Sequence, residues 1–514
     1  MFWLNELKEK LDKKKKHLVS DSWSTSGFAH IGSLRGTVIH NIAYKSLKDA
    51  GFTVHYKFLM DDFDPLDGIP VYLEKKEYKK YLGKPLFQIP SPKKGKSLSE
   101  FFENDFIETL KKLNIAPEIL WASENYKSGL LNDGIKTIMD NASKVREIYK
   151  KITGSERPKD WYPFNPICEK CGKIGTTRVF DWDSKFVSYK CEEEIVEWAK
   201  GCGYSGKVSP FNGTGKLPWR IEWPVRWRAL GVTVEGEGKD HWSAGGSRDM
   251  ADIVSREILN YEPPYDIRYD FFVIGGKKMS SSAARGITAK VVSEMLPIPI
   301  LNFLLASNPR KEIEFDPKGD TIPVLYDNYD RAREAYFGII DMADQAKTFE
   351  MSQIKKPEEG FRMRFIKVAY AIQMPKLDIQ ETAEGEKGAK LTKLEKEDLK
   401  ERIIFAKKWL KEFAPDNYIF EVKKDLPKEV KSFNKNQKNF LTKLKNNLEK
   451  VKWEGQEIHS LIHGLKTELN IAPKDAFSAI YIVFLGKESG PQAGWLLSSL
   501  DKKFVIKRLN KAIG

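Results

Sequence analysis

Apolar and polar positions change their spacing along this chain. To about residue 90, strand-like and helix-like runs alternate. A short apolar-polar segment containing Leu18 and Val19 passes through a glycine turn. It runs into a helical pattern on Val38, Ile39, Ile42, Ala43 and Leu47. Val54–Met60 predicts a strand that ends in Asp61-Asp62-Phe63-Asp64-Pro65. Val232–Glu235 predicts a second such strand, followed by glycines and a helix on Met250, Ile253, Val254 and Ile258. Tyr269–Ile274 predicts a buried strand. Tyr81 to Pro92 is rich in proline and glycine and reads as a loop leaving the sheet. Helical patterns from Leu98 to Leu113 and Lys127 to Ile152 then predict an insertion between two halves of an α/β domain. Residues 301 to about 326 bridge to a C-terminal half of helical patterns. One runs from Leu391 to Phe413 on Leu394, Leu399, Ile403, Phe405 and Trp409.

The 514 residues allow two to four domains. Lysine and arginine number 86 against 72 acidic residues, a net charge of +14. That excess suits a polyanionic partner, with nucleic acid first, or a lysine-rich solvated surface. Lys387 to Lys400 and Lys428 to Lys452 fit either an RNA-facing surface or solvated helix faces. The N-terminus lacks the apolar core of a signal peptide, and no run of about 18 apolar residues predicts a membrane span. Four cysteines in so long a chain do not make a disulfide scaffold; their spacing suggests metal in a reducing cytoplasm.

Five segments carry candidate chemistry. Ser26-Gly27-Phe28-Ala29-His30-Ile31-Gly32-Ser33-Leu34-Arg35-Gly36 opens a helix after a strand. Free N–H groups and the positive helix end there suit a phosphate, with His30 as donor. It also fits an ordinary helix start with a surface histidine. Cys168-Glu169-Lys170-Cys171-Gly172, with Cys191 and Cys202, matches a closed tetrahedral Zn²⁺ site on a ribbon of short strands at Val179, Val187 and Tyr189; four unmetallated cysteines are the alternative. Lys216 to Trp227 packs three tryptophans, two prolines and several charges into twelve positions. This predicts a rigid polar-lined pocket or a tryptophan-covered edge strand. Gly238-Lys239-Asp240-His241 and Gly245-Gly246-Ser247 form a second strand, glycine loop and helix, with Ser247 expected as the helix cap. Gly275-Gly276-Lys277-Lys278-Met279-Ser280-Ser281-Ser282 reads as a cationic phosphate loop or a solvated Lys/Ser loop.

His30-Ile31-Gly32 and Lys278-Met279-Ser280-Ser281-Ser282, in this order and separation, resemble the paired nucleotide motifs of class I aminoacyl-tRNA synthetases. Met60–Leu66, Tyr81–Leu86, Trp223–Trp227, Gly238–His241, Ile322–Tyr326 and Leu485–Trp495 are similar to class I lysyl-tRNA synthetases in particular. The resemblance implies an α/β, Rossmann-type catalytic domain over 1–290. Its insertion of about 91–215 holds a zinc-ribbon-like element at 165–206. A stem at 291–330 and an all-α anticodon-binding domain at 331–514 follow. It implies a cytoplasmic lysine–tRNA ligase, with a monomer favoured. Lysine and ATP, with Mg²⁺, give lysyl-adenylate; the lysyl group then passes to the terminal adenosine 2′-hydroxyl of lysine tRNA. Both the acceptor end and the anticodon of that tRNA are contacted.

His30 and Lys278 take the catalytic places. Ser26, Gly27, Gly32, Ser33, Gly245, Gly246, Lys277, Met279, Ser280, Ser281 and Ser282 join them around ATP. For the substrate's ε-ammonium, which wants a buried carboxylate and an aromatic wall, the candidates are Glu222, Trp223, Asp240 and His241, with Tyr269 as a further wall. Thr25, Ala29 and Ser33 depart from the family's pattern. Gly36 stands where it favours Glu, and Ala283 where it has lysine, so Lys277 or Arg285 is expected to supply that cation. The segment from Pro90 to Phe102 has no histidine, so one zinc is expected and not two.

Overall fold

The computed structural model describes residues 1–93, 97–274, 277–278, 287–375 and 377–514. Five strands pair in parallel in the order Tyr265–Tyr269, Val234–Gly238, Lys16–Ser24, Thr53–Asp61 and Glu118–Trp121. Both faces of such a sheet are covered, so its middle strands bury Leu18, Val19, Phe58, Leu59, Met60 and Val234. Helix Ile31–Asp49 covers one face through Ile31, Leu34, Val38, Ile39, Ile42 and Leu47. The chain leaves the central strand Lys16–Ser24 toward Thr53–Asp61 on one side and reaches Val234–Gly238 on the other. Ligands of open parallel sheets bind at this reversal, outside the carboxyl ends of the strands. The α/β, Rossmann-type arrangement expected from the sequence is therefore present.

Three local expectations change. Trp219–Leu230 is a helix, not an edge strand. Trp219, Trp223 and Trp227 recur every four residues, a helical spacing. Their rings follow one another at 5.0 and 5.1 Å between centroids. The expected strand Tyr269–Ile274 is broken at Asp270-Phe271 into Tyr265–Tyr269 and Phe272–Ile274, which belong to different sheets. Gly246, not Ser247, is the N-cap of helix Ser247–Glu257, and Ser247 is its buried first residue.

Helix Leu98–Lys112 lies between two neighbouring strands of the main sheet, Thr53–Asp61 and Glu118–Trp121; helices Asn132–Asp140 and Ala142–Thr153 follow, then an antiparallel ribbon of Thr177–Trp182, Val187–Cys191 and Ser205–Val208. Asn165–Pro166 and Gly215–Lys216 pair at its base.

The chain divides into two compact units, residues 1–315 with 332–356, and 316–331 with 357–514. The second unit is helical. Phe440, Leu444, Ile458, Ile462, Ile480, Phe484, Leu497 and Leu509 are among its core residues. A buried Arg402 donates to Asp330, Asp398 and the Met363 carbonyl. Among the described residues, no helix is long and apolar enough to cross a membrane.

Gly236 shows how tightly the sheet is set. A Cβ there would lie 2.6 Å from the Ile267 carbonyl oxygen on the neighbouring strand and 3.3 Å from the His40 ring. Gly236→Ala is expected to destabilise the first unit by about 1–3 kcal/mol, read from its denaturant midpoint.

Candidate active site

His30 is the N-cap of helix Ile31–Asp49 and makes no side-chain capping bond. Its ring folds back over Gly32, where a Cβ would stand 2.7 Å from His30 Cε1. The glycine two residues after the histidine is therefore a packing requirement of the turn. The same stretch pairs with the chain just beyond residue 286. Ile31 N–H donates to the Ile287 carbonyl at 3.0 Å, and Ala289 N–H to the Ala29 carbonyl at 2.8 Å. His30 and Thr288 form an antiparallel bridge.

Arg35, one turn into the helix, is buried. Its guanidinium donates to five carbonyls: Asp270 at 2.7 Å, Phe271 at 3.3 Å, Asn308 at 3.0 Å, Pro309 at 3.2 Å and Lys311 at 2.9 Å. Burial lowers its pKa to about 10, with Asp270 acting against the shift, so it is charged at neutral pH. Strand Phe272–Ile274 starts at these carbonyls and pairs with Lys277–Lys278. Both flanks of the second motif are thus fastened to the first motif's helix. Met279, Ser280, Ser281 and Ser282, with Ala283 and Arg285, lie outside the described residues.

Across the crevice, strand Val234–Gly238 leads into the short helix Lys239–Trp242. Gly246 is pressed against it: a Cβ would lie 2.3 Å from the His241 carbonyl oxygen. Gly245 takes a φ of +75° and donates its N–H to Asp249 at 2.9 Å. His241 stands against Trp219 and Trp223 at 6.0 and 5.8 Å between ring centroids. Asp240 is exposed beside it. Tyr269 pairs with Gly238 in the sheet register. Its hydroxyl reaches helix Ile31–Asp49, where a Cβ on Gly36 would lie 2.6 Å from it.

The aspartates after strand Thr53–Asp61 have two uses. Asp62 accepts from the Ser123 N–H at 2.8 Å and from its hydroxyl at 2.5 Å. Asp61 and Asp64 close on the buried Lys216 ammonium at 2.7 and 2.6 Å, and Glu222 stands 3.2 Å from it. Burial and the Asp64 charge push Asp61 up to about 8, against the pull of the Lys216 ammonium on it. Glu222 is therefore engaged by the protein's own cation.

The four cysteine sulfurs lie within 4.8 Å of one another. Cys168 and Cys202 are 3.7 Å apart, as are Cys171 and Cys191. A tetrahedral ion with sulfur ligands needs roughly 3.8 Å between sulfurs. Gly172 and Gly203, at φ +73° and +72°, let the chain turn back at the cysteines. Their N–H groups donate to the Cys168 and Cys191 carbonyls at 2.8 and 2.9 Å.

The family described as tRNA synthetases class I (K) matches residues 1–356, and an anticodon binding domain matches 378–513. Over its whole length the chain is 35% identical to lysine–tRNA ligase 1 of Methanosarcina acetivorans, covering 98% of that protein. It is also 35% identical, over its whole length, to the lysine–tRNA ligase of Thermoplasma volcanium, covering 99% of it. The chain belongs to the class I lysyl-tRNA synthetase family.

As a class I lysyl-tRNA synthetase family member, it carries two fastenings that sequence reasoning did not single out. Arg35 was within the flagged segment, and its signal is a lone cation among the apolar positions of its helix. Lys216 sat at the edge of the tryptophan segment, and two of its partners, Asp61 and Asp64, are remote in sequence. Arg35→Met should leave its carbonyls without donors. A loss of about 3 kcal/mol or more in the first unit's stability is expected, and ATP binding should fall at least about tenfold, measured by denaturation and nucleotide titration.

Proposed function

We propose that this chain is a lysine–tRNA ligase. The observation that carries the reading is its full-length match to enzymes of that name. The geometry supports it: the first phosphate-type motif and the chain flanking the second are fastened at the carboxyl end of a parallel sheet by Arg35 and the Ala29–Ala289 pairing. ATP enters as its Mg²⁺ complex. The lysine carboxylate attacks the α-phosphorus, the bond to the bridging oxygen breaks, and pyrophosphate leaves. The 2′-hydroxyl of the tRNA's terminal adenosine then attacks the lysyl carbonyl, and AMP leaves. In-line placement and charge stabilisation carry both steps.

His30 donates to the phosphates at the positive end of helix Ile31–Asp49, with Ser26, Gly27, Gly32 and Ser33 shaping the turn. Gly245 and Gly246 open the opposite bank to the nucleotide. Lys278, with Ser280, Ser281 and Ser282, steadies the leaving pyrophosphate. Trp223, His241 and Tyr269 wall the lysine, with Asp240 at the rim. The helical unit takes the anticodon. Lys393, Lys396 and Lys400 lie along one exposed helix there and suit a phosphate backbone.

Pyrophosphate exchange assayed with every amino acid tests the reading; exchange confined to lysine, and charging of a lysine tRNA transcript, are expected. Lysine-independent behaviour or failure to charge overturns it. In the same assay, alanine at both Lys277 and Arg285 should abolish exchange, because no other cation next to the motif replaces the lysine absent at Ala283.

Cys168, Cys171, Cys191 and Cys202 hold one structural zinc, which ties the ribbon's turns together. Elemental analysis should give one zinc per chain. Cys191→Ser should lose it and lower the thermal midpoint; two zinc ions per chain would refute the assignment.

A further inference from the structure

The carboxylates around Lys216 differ in their access to water. The side chains of Asp61 and Glu222 are 4% and 1% exposed, whereas that of Asp64 is 32% exposed. Asp64 is therefore the member of the cluster with a path to solvent. Both of its oxygens are nevertheless used inside the protein. Oδ1 accepts from the Lys216 ammonium at 2.6 Å, and Oδ2 accepts from the Ser24 hydroxyl at 3.0 Å. The main chain of Asp64 is fixed from behind. Leu86 N–H donates to its carbonyl at 3.0 Å, and the next residue, Pro65, bridges to Pro85.

Ser24 is the last residue of the central strand. Thr25, one of the departures from the family's pattern, follows it and is buried. Its N–H and its hydroxyl both donate to the Asp61 carbonyl at 3.3 Å. Ser26 and Gly27 come next and open the phosphate-binding turn. The exit of that turn is tied to Ile287 and Thr288. Its entry is tied to Asp61 by Thr25 and to Asp64 by the Ser24 side chain. Backbone N–H groups hold a phosphate well only when they are placed to within roughly 0.5 Å.

Lys216 is what keeps Asp64 turned inward. Without the ammonium, the charges of Asp61 and Glu222 would push the third carboxylate away at short range. Asp64 alone could answer by rotating into water, and Ser24 would lose its acceptor.

We infer that Asp64, held inward by Lys216, is a positioning residue for the phosphate-binding turn and acts on it through the Ser24 hydroxyl. The inference rests on the proposed function and adds Asp64 and Ser24 to the residues named there. The pair acts by placement: it fixes where the strand ends and so where the N–H groups of the turn face the nucleotide.

Titration of the full chain with ATP and Mg²⁺, and separately with adenosine, tests this in Ser24→Ala, Asp64→Ala and the double variant. Asp64→Ala leaves Lys216 between Asp61 and Glu222, so it strands no buried charge. Each single change should weaken ATP about tenfold and leave adenosine, which carries no phosphate, within about twofold. The double variant should bind ATP within about twofold of the weaker single one, because both changes break the same connection. Lys216→Met, where it folds, should show the same selective loss, and Ser24→Ala should not deepen it; where it does not fold, the Asp64 and Ser24 cycle decides. Losses that multiply in the double variant, equal losses of ATP and adenosine, or no loss would overturn the inference. Failure of the unaltered protein to bind ATP overturns the functional reading as well; ATP binding with multiplied losses overturns the inference alone.

Discussion

The Arg35 guanidinium is the fixed point of the catalytic unit. It is buried without a carboxylate in its hydrogen-bonding shell and is stabilised by five carbonyl dipoles from two separate stretches of chain. Carbonyls turned inward need donors, and a buried cation needs acceptors, so each side of this arrangement requires the other. The helix that begins at His30 thereby sets where strand Phe272–Ile274 starts. The main-chain bridge at His30 and Thr288 sets where the same excursion ends. On the proposed function, a nucleotide at the helix start meets a second motif whose flanks are already placed, which is preorganisation in the sense that lowers the cost of binding charge.

The parts of this architecture that were legible in the sequence are local ones. A glycine turn before an amphipathic helix, a strand ending in aspartates and a Cys-x-x-Cys-Gly knuckle each declare themselves within a dozen residues. The parts that were not legible depend on partners far away. The break at Asp270-Phe271 looks like continuous strand because Tyr269 precedes it and Phe272, Val273 and Ile274 follow; it is held open by an arginine 235 positions earlier. The tryptophan segment, read as a polar-lined pocket or an edge strand, is a helix whose tryptophans recur every four residues. Pro224 lies inside that helix, where its missing N–H removes one backbone bond.

Charge around the crevice is arranged unevenly. Lys216 gathers three carboxylates, Asp61, Asp64 and Glu222, around one buried ammonium. This cluster joins the end of strand Thr53–Asp61 to the strand pair that closes the ribbon.

The ribbon's seam has a consequence for how this chain can change over time. Asn165–Pro166 and Gly215–Lys216 lie side by side, so the chain departs from the catalytic unit and returns at nearly the same place. An excursion with adjoining ends imposes no span on the sheet beneath it. It can be lengthened, trimmed or rebuilt around a different staple without moving the strands, provided that the two-residue seam and the lysine at its end are kept. The cysteine-bearing module is then the part of the first unit most open to divergence among relatives. Lys216, at its exit, belongs with the crevice and not with the ribbon.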